Sequence, residues 1–295
     1  MPRAAVDIGT NSMRLLVVDD AGVELERIQV VTGLGQGVFA SGRLADDAVE
    51  RTLEVFEGFG RLMVEHGVTT ARAVATAASR AAENREVFFD RAEAALGIRP
   101  QLIDGGEEAG LAFRGATAGL DRPGPFMVVD VGGGSTEFVW QTGDEVVGVS
   151  VDIGSIRVTE RLLPDRPADF DQLVAVYHHT DGQFRHRDLP SDPGTVIGVA
   201  GTWTSLAAIA LDLPAYDRRR VHHSVIGRHA LDRLVVRLAG LTVEETAAIP
   251  ALDPRRAPVI LAGSLIAREV MRRLGVAEVL VSEHDLLDGI VAGLG

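Results

Sequence analysis

The feature that most constrains this chain is an internal repeat. Residues 4–18 read Ala-Ala-Val-Asp-Ile-Gly-Thr-Asn-Ser-Met-Arg-Leu-Leu-Val-Val, and residues 127–141 read Met-Val-Val-Asp-Val-Gly-Gly-Gly-Ser-Thr-Glu-Phe-Val-Trp-Gln. Both copies are an apolar strand, then Asp-x-Gly-x-x-Ser, then a second apolar strand. A repeated unit of this kind fixes the architecture before any local assignment is made. After the first copy, Asp20-Ala21-Gly22 turns the chain into a third strand near residues 23–31. After the second, Thr142-Gly143-Asp144 does the same before residues 146–151. Short Gly- or Asp-containing turns between apolar runs signal hairpins. Each half is therefore expected to open with three antiparallel strands.

Helices and further strands follow. Residues 44–66 carry apolar side chains at helical spacing. Residues 71–76 read as a buried strand, and 86–96 as a helix stopped by Gly97. Residues 101–103 form a short strand and 107–118 a helix. Strands alternating with helices indicate an α/β fold. The chain has 295 residues, which suits two domains of about 150. The segment 121–125, Asp-Arg-Pro-Gly-Pro, reads as the linker. The expected domains are 1–123 and 124–295, with a terminal helix at 285–295 that packs back on the first. In the second half, residues 164–194 are rich in Pro, Asp, Arg and His and are placed at the surface. Strands are expected at 196–200 and 278–281. A helix opens at Gly201-Thr202, and another runs over 259–274 to Gly275.

Composition narrows the function. No cysteine is present, so disulfides and thiolate metal sites are excluded. The N-terminus lacks the apolar run of a signal peptide. No stretch approaches the roughly 18 apolar residues of a membrane helix. We expect a cytoplasmic protein. The net charge of −13 argues against a nucleic-acid partner. An anionic ligand is still allowed, held locally by backbone N–H groups and a few arginines.

The repeated loops fit that description. Small residues in the tight turns (Gly9, Thr10, Asn11, Ser12 and Gly132, Gly133, Gly134, Ser135) can aim N–H groups at a phosphate. Asp7 and Asp130 are candidate ligands of a divalent metal. Arg14 and Glu137 each lie seven residues after the loop aspartate and interrupt otherwise apolar strands. Buried charge is costly unless paired or functional. Arg14 suits a phosphate clamp and Glu137 a metal or water ligand; edge positions facing solvent are the other reading. Glu107 and Glu108 open a helix. There they either favour the helix dipole, or one of them orients an attacking water. Thr76, Ser79 and Arg80 follow a strand in a small-residue stretch, as do Gly201 and Thr202, and both stretches are further phosphate-binding candidates. An ordinary turn or N-cap explains them as well. His222 and His223 are adjacent, which in a strand would turn them to opposite faces.

Taken in order, several motifs resemble the exopolyphosphatase / guanosine pentaphosphate phosphatase (Ppx/GppA) family. They are Asp7–Arg14, Ala75–Arg80, Gly106-Glu107-Glu108-Ala109, Asp130–Glu137, Ala200-Gly201-Thr202 and Val281-Ser282-Glu283. The resemblance covers nearly the whole chain and is to the short, two-domain actinobacterial-type form. It implies two ribonuclease-H-like domains of the actin-like ATPase superfamily with a cleft between them, and possible homodimers. It also implies magnesium-dependent removal of terminal phosphate from polyphosphate or guanosine pentaphosphate. Glu108 would be the catalytic base, assisted by Glu137 and Arg14. A nucleotide or polyphosphate-binding switch is the non-enzymatic alternative. Two departures stand out. Gly110 and Leu287 occupy places where many members carry arginine. Losing those charges implies a weaker hold on long chains.

Overall fold

The computed structural model describes residues 1–120, 124–143 and 145–294. The chain divides into two compact units, residues 1–115 with 286–295, and residues 116–285. The first three residues of the expected linker and Asp144 of the second hairpin turn lie outside the described residues.

The first unit contains β1 (Arg3–Ile8), β2 (Ser12–Val18), β3 (Glu24–Val31), α1 (Val38–Ser41) and α2 (Asp46–Glu65). These are followed by β4 (Thr70–Ala75), α3 (Ala77–Ala81), α4 (Arg85–Leu96), β5 (Gln101–Leu102) and α5 (Gly105–Thr117). The sheet order is β3-β2-β1-β4-β5. The first three strands are antiparallel, and β4 and β5 join in parallel. The first turn is built by Asp19 rather than Asp20. Its Oδ1 accepts from Ala21 N and Val23 N at 2.9 and 2.8 Å, and Gly22 supplies φ +83°.

Strand alternation places a core on each face of this sheet. Ala4, Val6 and Ile8 with Met13, Leu15 and Val17 join Phe56, Phe59 and Phe88 of α2 and α4 in one core. Ala5, Leu16 and Val18 join Ile103, Leu111 and the terminal helix in the other. Asp7 and Arg14 alternate onto this second face, so the strand period alone carries two charges to the side where α5 packs.

The second unit contains β6 (Phe126–Val131), β7 (Thr136–Thr142), β8 (Glu145–Val151), α6 (Ser155–Leu162) and α7 (Phe170–Phe184). Next come β9 (Thr195–Val199), α8 (Ala200–Ala210), α9 (Arg218–Val221), β10 (Val225–Gly227), α10 (Arg228–Ala239) and α11 (Val243–Ala247). The unit ends with α12 (Ile260–Leu274) and β11 (Glu278–Val281). Its sheet order, β10-β11-β9-β6-β7-β8, repeats the first five positions of the first sheet and adds one edge strand. The terminal helix α13 (Leu286–Ala292) belongs to the first unit and packs on β1 and β2. Two sheets with this shared order and strand sense are the ribonuclease-H-like arrangement. No helix among the described residues is long and apolar enough to cross a membrane.

The stretch 164–194 departs from expectation. Its centre is α7, opened by a capping box in which Asp169 Oδ1 accepts from Gln172 N at 2.8 Å and Gln172 Oε1 from Asp169 N at 2.9 Å. Val176 and Phe184 are buried in the main core, with Phe184 edge-on to Phe138 at 5.3 Å. The polar residues line the helix's outer face, and their density hides the few buried positions.

Two helical glycines make opposite predictions. A Cβ on Gly289 in α13 would meet the Leu111 carbonyl oxygen of α5 at 1.9 Å, whereas a Cβ on Gly182 in α7 would meet nothing within 4 Å. Gly289→Ala is expected to cost about 1–3 kcal/mol through overpacking. Gly182→Ala is expected to stabilise by about 0.5–1 kcal/mol by restricting the unfolded chain. Urea unfolding of the two variants checks both signs.

Candidate functional site

The two repeated loops are closed by the same bond. Gly9 N donates to the Ser12 carbonyl at 3.2 Å, and Gly132 N donates to the Ser135 carbonyl at 3.0 Å. A Cβ would approach that carbonyl oxygen to 2.9 Å at Gly9 and 3.2 Å at Gly132. Glycine is therefore required by close approach at Gly9 and favoured by a tight approach at Gly132.

The segment after each third strand then folds back under the loop. Thr32 N and Gly33 N donate to the Asn11 carbonyl at 3.0 Å, and Gly35 N to the Thr10 carbonyl at 2.7 Å. In the second unit, Ser155 N donates to the Gly132 carbonyl and Ile156 N to the Gly133 carbonyl, both at 2.9 Å. The loop carbonyls are thus bonded from behind. Among the described residues, the N–H groups of Thr10, Asn11, Gly133 and Gly134 have no protein acceptor. Successive N–H groups without internal partners form an anion-binding concavity. The supporting segments 32–35 and 153–156 were not singled out in the sequence, although Gly33-Leu34-Gly35 and Ile153-Gly154-Ser155 stand at matching places.

The charges that interrupt the strands are cross-strand partners. Asp7 is opposite Arg14 between β1 and β2, and Asp130 is opposite Glu137 between β6 and β7. Asp7 and Glu137 are buried and Arg14 is nearly so, which rules out solvent-facing edge positions. Equal positions carry opposite electrostatics. In the first unit Arg14 Nε and Nη2 both donate to Asp7 Oδ2, at 2.8 and 2.5 Å, a charge-assisted pair. In the second unit two carboxylates face each other, and Ser150 Oγ donates to Glu137 Oε1 at 2.8 Å.

This contrast bears on the metal. Among the described residues, no group of three or more His, Asp or Glu is placed to hold an ion. Magnesium does not need one, because it usually takes one or two carboxylates and fills its shell with water and substrate oxygens. Asp130 and Glu137 fit that role as neighbouring hard-oxygen donors. Asp7 fits it less well, since a cation there would compete with Arg14 for the same oxygen.

The Glu107-Glu108 pair is resolved by its partners. Asp104 Oδ1 accepts from Glu107 N at 2.8 Å and caps α5. Glu107 is the more exposed of the two and pairs with Arg72 at 2.5 Å. Glu108 points inward, where Arg80 Nη1 donates to Glu108 Oε2 and to the Ile103 carbonyl, both at 2.9 Å. Arg80 thus fixes the Glu108 carboxylate against the end of β5.

Three hydroxyls predicted to bind phosphate are turned into the protein. Thr76 Oγ1 donates to the Ile8 carbonyl at 3.4 Å, and Thr202 Oγ1 donates to the Val131 carbonyl at 2.6 Å. Ser79 is fully buried. At both strand–helix junctions the small residues satisfy or cover the end of the neighbouring strand. Gly201 differs, because the Arg256 guanidinium lies against it; a Cβ there would sit 1.8 Å from Arg256 Nη1. Ala200 reaches this junction with φ +63°, a strained value for a residue with a side chain. Nothing in the local sequence separates Arg256 from its neighbour Arg255, which pairs with Asp253. His222 and His223 also depart from expectation. Their rings stack at 3.8 Å because His223 is left-handed, φ +61°, which breaks strand alternation. Leu287, at one of the two departures from the family pattern, is buried in the first unit's second core.

The opposed carboxylates generate a prediction. Like charges directly across a strand pair destabilise it. Glu137→Gln removes one of them and preserves the Ser150 hydrogen bond. A gain of about 0.5 kcal/mol in metal-free stability is expected. Denaturant unfolding in a chelator checks it, and a loss of stability would contradict the like-charge account.

Comparison with known proteins adds family-level information. A sequence model of the Ppx/GppA phosphatase family matches residues 16–294. Exopolyphosphatase 2 of Mycobacterium tuberculosis is 40% identical over 99% of this chain and 98% of its own length. Among solved structures, an exopolyphosphatase-like protein superposes with a TM-score of 0.94 at 35% identity, covering 99% of this chain and 98% of its own. An exopolyphosphatase from Cytophaga hutchinsonii superposes with a TM-score of 0.89 at 25% identity, covering 100% and 99%.

Proposed function

Because the chain belongs to the Ppx/GppA phosphatase family, we propose that it is an exopolyphosphatase, hydrolysing the terminal phosphoanhydride bond of inorganic polyphosphate. The observation that carries this reading is the duplicated loop: two glycine-closed turns whose N–H groups have no protein acceptor, each beside a charged cross-strand pair. Such loops suit an extended polyanion in a protein of net charge −13, which must bind anions locally. The M. tuberculosis relative matched over its full length is named an exopolyphosphatase, which favours polyphosphate over guanosine pentaphosphate. The proposal carries with it the cytoplasmic location and the homodimer expected from the sequence.

Each residue then has a task. The N–H groups of Thr10, Asn11, Gly133 and Gly134 hold phosphate oxygens, and Arg14, aligned by Asp7, clamps the transferred group. Arg256, lying on Gly201 at the start of α8, adds a second guanidinium. Glu108, oriented by Arg80, accepts a proton from a water aligned with the scissile bond. The water oxygen bonds to the terminal phosphorus, the bridging P–O bond breaks, and the shortened chain leaves with that oxygen. Bound magnesium at Asp130 and Glu137 would offset charge on the transferred phosphoryl group.

Glu108→Gln keeps the shape and the Arg80 contact but cannot take the proton. Phosphate release from polyphosphate is expected to fall about 10²–10⁴-fold in kcat, with KM changing far less. Chelating the divalent metal should stop release by the wild type, and added magnesium should restore it. A Glu108→Gln enzyme with wild-type kcat would remove the base from this scheme.

A further inference from the structure

The second unit carries a basic cavity that the scheme above does not use. It has a volume of about 510 Å³ and is lined by residues 213–220, from Leu213 to Arg220. Three consecutive arginines stand on α9. Asp217 caps this short helix, accepting from Arg219 N at 3.0 Å and Arg220 N at 3.3 Å, which fixes the backbone beneath them.

The three arginines differ. Arg218 pairs with Glu283 at 3.3 Å. Arg219 and Arg220 are exposed, and among the described residues their side chains have no carboxylate partner. Elsewhere Arg99 gathers Glu86, Asp90 and Glu93, and Arg272 gathers Asp181 and Glu269. Two adjacent cations kept clear of carboxylates, at the rim of a cavity, are suited to an anion from solution.

Neighbouring side chains link the cavity lining to the start of α8. Tyr216 donates its hydroxyl to Glu283 and is hydrogen-bonded by Thr204 of the first turn of α8. Burial of that hydroxyl, with the Glu283 charge beside it, pushes the phenol above its ordinary range, so it stays protonated. Arg256 lies near enough to Tyr216 to act on its charge, and Arg256 itself rests on Gly201. A line therefore runs through the second unit from the α8 junction through Arg256 and Tyr216 to Arg219 and Arg220.

We propose that Arg219 and Arg220 form a distal phosphate subsite, holding inner phosphates of a polyphosphate whose end is at the second unit's Gly132–Ser135 loop. The inference rests on the exopolyphosphatase reading. Guanidinium forks match phosphate oxygens, and a regular polyanion rewards cations placed in succession along its path. Tripolyphosphate has one inner phosphate, whereas a long chain has many to offer a second site. The subsite therefore acts on chain-length preference.

The test compares wild type with the Arg219→Ala/Arg220→Ala double variant, on tripolyphosphate and on a long polyphosphate. Among the described residues these side chains have no carboxylate partner, so the variant is expected to melt with the wild type. KM for the long chain should rise on the order of tenfold, at least five times more than KM for tripolyphosphate, and its salt dependence should weaken. An equal change for both substrates, or none, overturns the subsite. Calorimetric titration of the Glu108→Gln chain, with and without the two changes, separates this from failure of the parent reading. If the wild type hydrolyses neither substrate, the exopolyphosphatase reading fails. The subsite then stands if the double change weakens binding of long polyphosphate, and falls if binding is equal or if only ATP binding weakens.

Discussion

One backbone hydrogen bond, from the first glycine of a loop to the serine carbonyl that ends it, organises each half of this protein. A Cβ would crowd it, below 3.0 Å at Gly9 and tightly at Gly132. Closing the turn sets the register between the flanking strands. That register puts Asp7 opposite Arg14, and Asp130 opposite Glu137. It also turns the loop carbonyls toward the segment that returns from the third strand, so the remaining N–H groups are left to an outside partner. The row of N–H groups without protein acceptors is thus a consequence of chain geometry.

Duplication makes the divergence between the halves readable as chemistry. At one and the same register position, the first unit has a cation on an aspartate and the second has two carboxylates. A neutralised pair can offer its guanidinium to an anion without leaving a bare buried charge. Two facing carboxylates have the opposite electrostatics. Duplication followed by one change of sign thus gives each half its own electrostatic character from one plan.

Much of this was legible in the sequence because it is local. The repeat, the hairpin turns, the helix ended by Gly275 and the interrupted strands all depend on residues within a few positions of one another. The ribonuclease-H-like architecture followed from them and from the family resemblance. What the sequence did not show depends on partners far along the chain. Thr76, Ser79 and Thr202 look like phosphate ligands until their hydroxyls are seen facing the protein. Arg256 has no local signature, because Gly201, its neighbour in space, is far away in sequence. Residue type and position alone did not separate Glu107 from Glu108; the family resemblance did, and Arg72 and Arg80 each take one of them. Helix α7 was hidden by polar composition that concealed Val176 and Phe184.

The central claim is that the duplicated loops serve removal of single phosphates from a chain end. Following a long polyphosphate by ³¹P NMR during hydrolysis by the wild-type protein tests it most directly. The account predicts orthophosphate from the first time point, growing as chain phosphate declines, with no early burst of mid-length fragments. Internal fragments that precede orthophosphate, or no orthophosphate at all, would contradict it.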